Sequence, residues 1–81
     1  MIKLYTLLDK ASSTTNHPMA FQTERDALDG LKNVASDPST ALNKHPEDFE
    51  LFQLGEYNPR SMKFEIYDDP KSIISVSDLI Q

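Results

Sequence analysis

Residues 49–67 read FELFQLGEYNPRSMKFEIY and decide the fold, because they contain two apolar strands joined by a turn. The first strand, Phe49 to Tyr57, carries apolar side chains on both faces, which is typical of a central strand. The second strand, Met62 to Tyr67, alternates between apolar and polar residues. Residues 58–61, Asn-Pro-Arg-Ser, have the composition of a turn. The stretch therefore predicts an antiparallel hairpin.

Three shorter segments predict the rest of the sheet. Alternation at Ile2 to Leu8 predicts a strand with one wetter face, and weaker patterns predict strands at Met19 to Gln22 and Ser72 to Val76. The polar residues 10–18 between the first two predict a loop. Asp-Asp-Pro at 68–70 breaks the pattern before the last strand.

The clearest helix is predicted from Thr23 to Ser36. Thr23 has the character of an N-cap, and Asp37-Pro38 ends the helix because a residue before proline avoids the helical region. One apolar stripe of this helix requires a sheet face to cover, and we expect it to cover the face of Leu4, Phe64 and Ile66. Short helical turns are predicted at 39–43, 45–48 and 77–80.

These elements predict a single α+β domain over residues 1–81: a small, mostly antiparallel sheet of four to five strands with one amphipathic helix packed on one face. The chain has no cysteine, so neither a disulfide nor a thiolate zinc site supplements the core. No stretch is apolar over the roughly 20 residues of a membrane span, and the N-terminal segment lacks the pattern of a signal peptide. We therefore expect a protein of the cytoplasm without a membrane partner.

Charge limits the partners that the chain can bind. Eight basic residues stand against 13 acidic ones, giving a net charge of −5 and a pI near 4.7. Tight binding of duplex DNA through its phosphates requires a basic face, and attraction to anionic membranes requires the same. The composition disfavours both.

The sequence does not contain a pattern for catalysis, a cofactor or a metal. His45, Glu47 and Asp48 are neighbours in a proline-containing turn and match no ligand spacing. Asp68 and Asp69 are adjacent, so on an extended chain their carboxylates diverge, and a solvated turn explains them better than a metal-dependent nuclease. We expect a non-enzymatic protein without a cofactor or a metal ion.

One set of residues indicates a candidate function. If the helix covers the Leu4 face, aromatic and basic side chains share the uncovered face, with two more at the adjoining hairpin end, and single-stranded nucleic acid is bound by such combinations. On the residues alone, the uncovered face suits a second copy of the chain in a dimer best, ordinary sheet surface next and a nucleic acid third. The candidate nucleic-acid-binding residues are Lys3, Tyr5, Tyr57, Arg60, Lys63 and Tyr67.

Four stretches, residues 1–6, 23–31, 45–57 and 64–70, carry a resemblance to a known family. The most specific is HPEDFELFQLGEY at 45–57. The chain resembles the small nonstructural protein of the gokushovirus branch of microviruses, which are single-stranded DNA phages of bacteria. The resemblance covers most of the chain from Ala20 onward.

The resemblance implies a phage accessory protein made in the host cytoplasm and absent from the mature particle. Its family is commonly described as DNA-binding, with a suggested role in the change from duplex replication to single-strand synthesis and packaging. The expected partners are single-stranded DNA, a phage or host replication protein, and further copies of the chain. The alternative is an acidic protein-interaction module, including one that mimics DNA, which docks a basic phage or host protein.

Overall fold

Nine elements follow one another in the computed structural model, which describes residues 1–80. Five strands form one antiparallel sheet, and the helices include one that is longer than a single turn. In chain order the elements are β1 (Ile2–Asp9), β2 (Thr14–Thr15), β3 (Met19–Phe21), α1 (Glu24–Ala35), α2 (Ala41–Lys44), a 3-10 turn (Pro46–Asp48), β4 (Phe49–Asn58), β5 (Lys63–Ser75) and α3 (Val76–Leu79).

The sheet is built around the hairpin that the sequence predicts. β4 pairs with β1 on one side and with β5 on the other, so it is a central strand, as its two apolar faces predicted. β2 and β3 both pair with the remaining edge of β1 and together form one interrupted edge strand. The α+β prediction is confirmed, with the expected antiparallel sheet.

Two parts of the sheet differ from the sequence prediction. The segments expected as separate strands before and after residues 68–70 form a single strand, β5, and both halves pair with β4. Gln53 pairs with Lys71 and Gly55 with Ile66, so residues 67–70 bulge opposite Leu54. The bulge accommodates the proline without ending the strand, because bulged residues are not paired in the ladder.

Residues 10–18, which are expected to form a loop, contain β2 and a group of hydrogen bonds from β1 to Asn16. Asn16 Oδ1 accepts hydrogen bonds from the Thr6 hydroxyl at 3.1 Å and from the Leu7 N–H at 2.9 Å. The Asn16 carbonyl also accepts from the Thr6 hydroxyl, at 3.0 Å. These bonds hold the break between β2 and β3 against β1.

The helix α1 begins as predicted, since Thr23 Oγ1 accepts a hydrogen bond from the Asp26 N–H at 3.1 Å. The expectation about the face that it covers is wrong. The core on the helical side contains Tyr5 and not Leu4, Phe64 or Ile66. The buried apolar residues that form this core are Tyr5, Ala27, Leu31, Ala35, Phe49, Leu51 and Val76.

The reason lies in the apolar stripe of the helix, which requires large, continuous apolar surface. Phe49 and Leu51 of β4 supply such a surface beside Tyr5 and Leu7 of β1. Leu42 from α2 and Leu79 from α3 pack against the same core, so the three helices lie on one side of the sheet. Among the described residues, no helix is long and apolar enough to cross a membrane.

Candidate nucleic-acid interface

The four predicted binding residues that have a cross-strand partner divide between two faces of the sheet, while Arg60 lies in the turn and Tyr67 in the bulge of β5. Cross-strand pairing places Lys3 opposite Glu56 and Glu56 opposite Glu65, so alternation puts Lys3, Tyr5 and Lys63 on the helical side. Tyr57 pairs with Ile2 and with Phe64, and the three lie on the other face. The predicted set therefore does not form one continuous platform.

Tyr5 is part of the core and is 0% exposed. Its ring contacts Phe21 edge to face, with 6.0 Å between ring centroids, and its hydroxyl has no hydrogen-bond partner among residues 1–80. Burial raises the pKa of the Tyr5 phenol, and the nearby Glu24, Tyr67 and Glu56 raise it further. Since no face of the ring is accessible, Tyr5 does not stack on a base in this conformation. The expectation that it lies on the uncovered face is wrong.

The aromatic surface best suited to stacking is the pair of Tyr57 and Phe64, of which the sequence predicted only Tyr57 as a binding residue. The rings of Tyr57 and Phe64 lie 4.8 Å apart between centroids and are tilted by 44°. Phe64 is 64% exposed, whereas alternation assigned it to the core. The signal that could have identified it is its position opposite Tyr57 across the hairpin, since such pairs present two rings on one face.

Two basic residues are close to this aromatic pair along the chain, Arg60 in the turn and Lys63 directly before Phe64, although the Lys63 side chain alternates to the helical side of the sheet. Arg60 is exposed in the turn, where its N–H donates to Asn58 Oδ1 at 3.0 Å. Lys63 is exposed at the start of β5. Within residues 1–80, neither Arg60 nor Lys63 forms a salt bridge. The ion pair in this part of the chain joins Lys10 to Glu50. We call Tyr57, Arg60, Lys63 and Phe64 the hairpin end.

Charge is unevenly distributed along the molecule. Residues 1–4 and 55–66, which include the hairpin end, contain three basic and two acidic residues, whereas the other residues contain five basic and eleven acidic ones. Lys3 contributes less than Arg60, because its cross-strand neighbour Glu56 partly cancels its charge. The hairpin end thus lies in a part of the molecule with a small excess of basic residues, which is compatible with a phosphate.

The acidic turn that the sequence predicted as ordinary surface brings three possible ligand atoms together. Single atoms of His45, Glu47 and Asp48 lie within 4.8 Å of one another. All three come from one turn of chain, where sequence neighbours converge without a bound ion. Asp68 and Asp69 lie apart from this turn, in the bulge of β5.

A comparison with known protein families gives a match over nearly the whole chain. The family described as Phage ORF5 protein matches residues 2–79. The chain belongs to the Phage ORF5 protein family. Comparison with curated proteins and with solved structures gave no match.

Membership of the Phage ORF5 protein family confirms the phage origin that the resemblance implied. It is consistent with an accessory protein encoded by a phage. The match includes all nine elements, so the hairpin end and the acidic turn both belong to the family domain.

Proposed function

We propose that this phage accessory protein is non-enzymatic and binds single-stranded DNA at the hairpin end, during single-strand replication or packaging in a microvirus of the gokushovirus type. The observation that carries the proposal is the Tyr57–Phe64 pair, with Phe64 exposed and Tyr57 half-buried, at the end of the hairpin that carries Arg60 in its turn and Lys63 directly before Phe64. Bases stack on aromatic rings regardless of sequence, while basic side chains hold the adjacent phosphates. Duplex DNA would present its bases already stacked, so it should bind more weakly.

The geometry favours weak binding by a single chain. Two basic side chains neutralise few phosphates, and the surrounding acidic surface repels the rest of the strand. Stacking must therefore supply most of the free energy. This is consistent with a protein that acts in a complex or at high local concentration rather than as a tight, isolated binder.

The test is a fluorescence anisotropy titration of a labelled oligothymidylate about 20 nucleotides long at low salt. Phe64→Leu keeps an apolar side chain but removes the ring, and we expect it to weaken binding by about 5- to 100-fold, the range for one lost base stack. Arg60→Ala should also weaken binding. Lys44→Ala, which removes an exposed charge from α2, serves as the matched control.

Two results would contradict the proposal. One is a wild-type protein that leaves the oligonucleotide anisotropy unchanged at low salt. The other is a loss of affinity in Lys44→Ala as large as in Arg60→Ala, since this would mean that general charge and not the hairpin end determines binding.

A second candidate function follows from the excess of acid elsewhere. Outside residues 1–4 and 55–66, eleven acidic residues outnumber five basic ones, which suits docking to a basic phage or host protein. Calorimetric titration with an oligolysine peptide probes this function. Saturable binding that Phe64→Leu leaves unchanged, together with no binding of oligothymidylate, would favour the docking module.

A further inference from the structure

The face of the sheet opposite the helices carries apolar side chains, and none of the elements within residues 1–80 covers it. We call it the apolar face. Its large members come from three neighbouring strands, so they form one continuous surface. The residues of the apolar face are Ile2, Leu4, Leu8, Phe52, Leu54, Tyr57, Phe64 and Ile66.

Exposure on this face is unusual for a single chain in water. Phe64 is 64% and Ile66 59% exposed, and the others are half-buried by their neighbours within the sheet. Two apolar depressions lie on the face, one of about 470 Å³ beside Phe52 and Leu54 and one of about 400 Å³ beside Leu4. Extended apolar patches of this kind mark interaction surfaces.

The charge on this face restricts what can cover it. Among residues 1–80, Glu50 lies at one end of the face, opposite Leu8. Its carboxylate already accepts a hydrogen bond from the Ser72 hydroxyl and lies 3.7 Å from Lys10 Nζ. The centre of the face, around Leu54 and Ile66, offers nothing to bind a phosphate. At the centre of the face, a nucleic acid or a highly charged protein is therefore a poor occupant, whereas a neutral, apolar surface fits.

We propose that the occupant is the same face of a second copy, so that two sheets pack face to face across a two-fold axis. Because the face includes Tyr57 and Phe64, this dimer and the single-strand complex of the proposed function are alternative states that compete for the hairpin end. A two-fold interface requires a self-complementary patch, and an apolar face without a net charge at its centre meets that requirement. Aligned or orthogonal sheet packing then places the two sheets about 10 Å apart, as in a sandwich.

The size of the face agrees with this assembly. Three long strands at a spacing of about 4.8 Å, with the short edge strands β2 and β3 beside them, give a face of roughly 500–600 Å² per copy. Stable interfaces bury about 1,200–2,000 Å² over both partners, so two such faces lie near the lower end of that range. An 81-residue chain with a small core gains most from such burial.

The edges of the sheet are less suitable for a second copy. The outer edge of β5 contains Pro70, which lacks an N–H, within a bulge that also contains Asp68 and Asp69. The opposite edge is interrupted between Thr15 and Met19. Neither edge offers a long, regular strand, so we place the contact between faces and not between edges.

The experiment measures the mass of the chain by analytical ultracentrifugation over a range of concentrations. The wild-type protein should sediment at twice the mass of its 9.2 kDa chain. Ile66→Glu should weaken dimerisation at least ~100-fold, because two carboxylates would be buried without partners. Ile66 is 59% exposed in the single chain, so the variant should keep its fold by circular dichroism.

The matched control is Val34→Glu, which introduces the same charge at an apolar side chain that is 47% exposed on α1, on the other side of the sheet. It should retain the dimer mass. Leu54→Glu repeats the test at the centre of the face. The proposal is overturned if the wild-type chain sediments at 9.2 kDa at every concentration, or if Ile66→Glu and Leu54→Glu remain dimers. It is also overturned if the wild-type protein is monomeric and binds oligothymidylate, while the Ile66→Glu variant does not bind it.

Discussion

Gly55 lies where β4 changes register against both of its neighbouring strands. A Cβ atom at this position would lie 2.9 Å from Ile66 Cα and would overlap the Glu65 carbonyl oxygen. These are backbone atoms of β5, so relieving the overlap requires the hairpin to separate. The absence of a side chain at Gly55 thus lets the two strands approach closely just before the hairpin end.

We predict that Gly55→Ala destabilises the protein by about 2–3 kcal/mol, in the upper part of the range for an overpacked site. The control is Gly30→Ala, because a Cβ at Gly30 would make an ordinary 3.5 Å contact with Phe21 Cε1. In the interior of α1, alanine should stabilise the helix by up to ~1 kcal/mol. Urea unfolding measures both, and equal effects of the two substitutions would contradict this account.

At the scale of elements, the split edge strand depends on one side chain. Asn16 joins the break between β2 and β3 to Thr6 and Leu7 of β1. In Asn16→Ala the Thr6 hydroxyl keeps the Asn16 carbonyl as an acceptor, whereas the Leu7 N–H loses Asn16 Oδ1. We predict that Asn16→Ala lowers the free energy of unfolding by about 0.5–1.5 kcal/mol, the net contribution of one hydrogen bond.

The neighbouring exposed residue provides the control for this edge. His17→Ala should change stability by less than ~0.5 kcal/mol, because its side chain is exposed and makes no hydrogen bond that the structure contains. Urea unfolding of the two variants compares them directly. Similar losses in both would mean that the backbone path of the loop, and not the Asn16 amide, holds the edge in place.

The elements themselves were largely predictable from local pattern. Periodicity identified α1 and its Thr23 cap, and alternation with a turn identified the hairpin. Alternation also grouped Lys3 with Tyr5 correctly, but it cannot tell which face the helix covers. That choice depends on Phe49 and Leu51, 44 or more residues away in sequence from Tyr5, which join it only through the register of β4. The site prediction inherited this error, so Tyr5 was assigned to the surface and Phe64 to the core.

At the scale of the whole molecule, the two ends differ in charge. A net charge of −5 excludes tight phosphate-driven binding, but the acid lies mostly outside residues 1–4 and 55–66. The net charge of the whole chain therefore does not indicate the local charge at the hairpin end. The salt dependence of binding can separate the local contribution from the global one.

We predict a shallow salt dependence for the binding of single-stranded DNA. Two phosphate contacts, from Arg60 and Lys63, correspond to a slope of log K against log salt of about −1.4. The face-to-face dimer would cover Tyr57 and Phe64, so the strand should bind the monomer and dimerisation should not double this slope. Anisotropy titrations at several salt concentrations measure it, and replacing both residues by alanine should flatten it. A slope as steep as about −5 would contradict the proposed contacts, since it requires more cations than the hairpin end contains.

The bulge at residues 67–70 also separates a part of the sheet that packs on the core from a part that does not. On one side of it, β4 and β5 are backed by the core of Phe49, Leu51 and Val76. On the other side, residues 55–66 project without a helix behind them, in a molecule 40 Å long and 18 Å thick. Units with few buried contacts open at lower free energy than the rest of a fold, so amide protons of the projecting half should exchange with solvent first. A ligand that bound there would slow that exchange and would stiffen half of the sheet without altering the helical core.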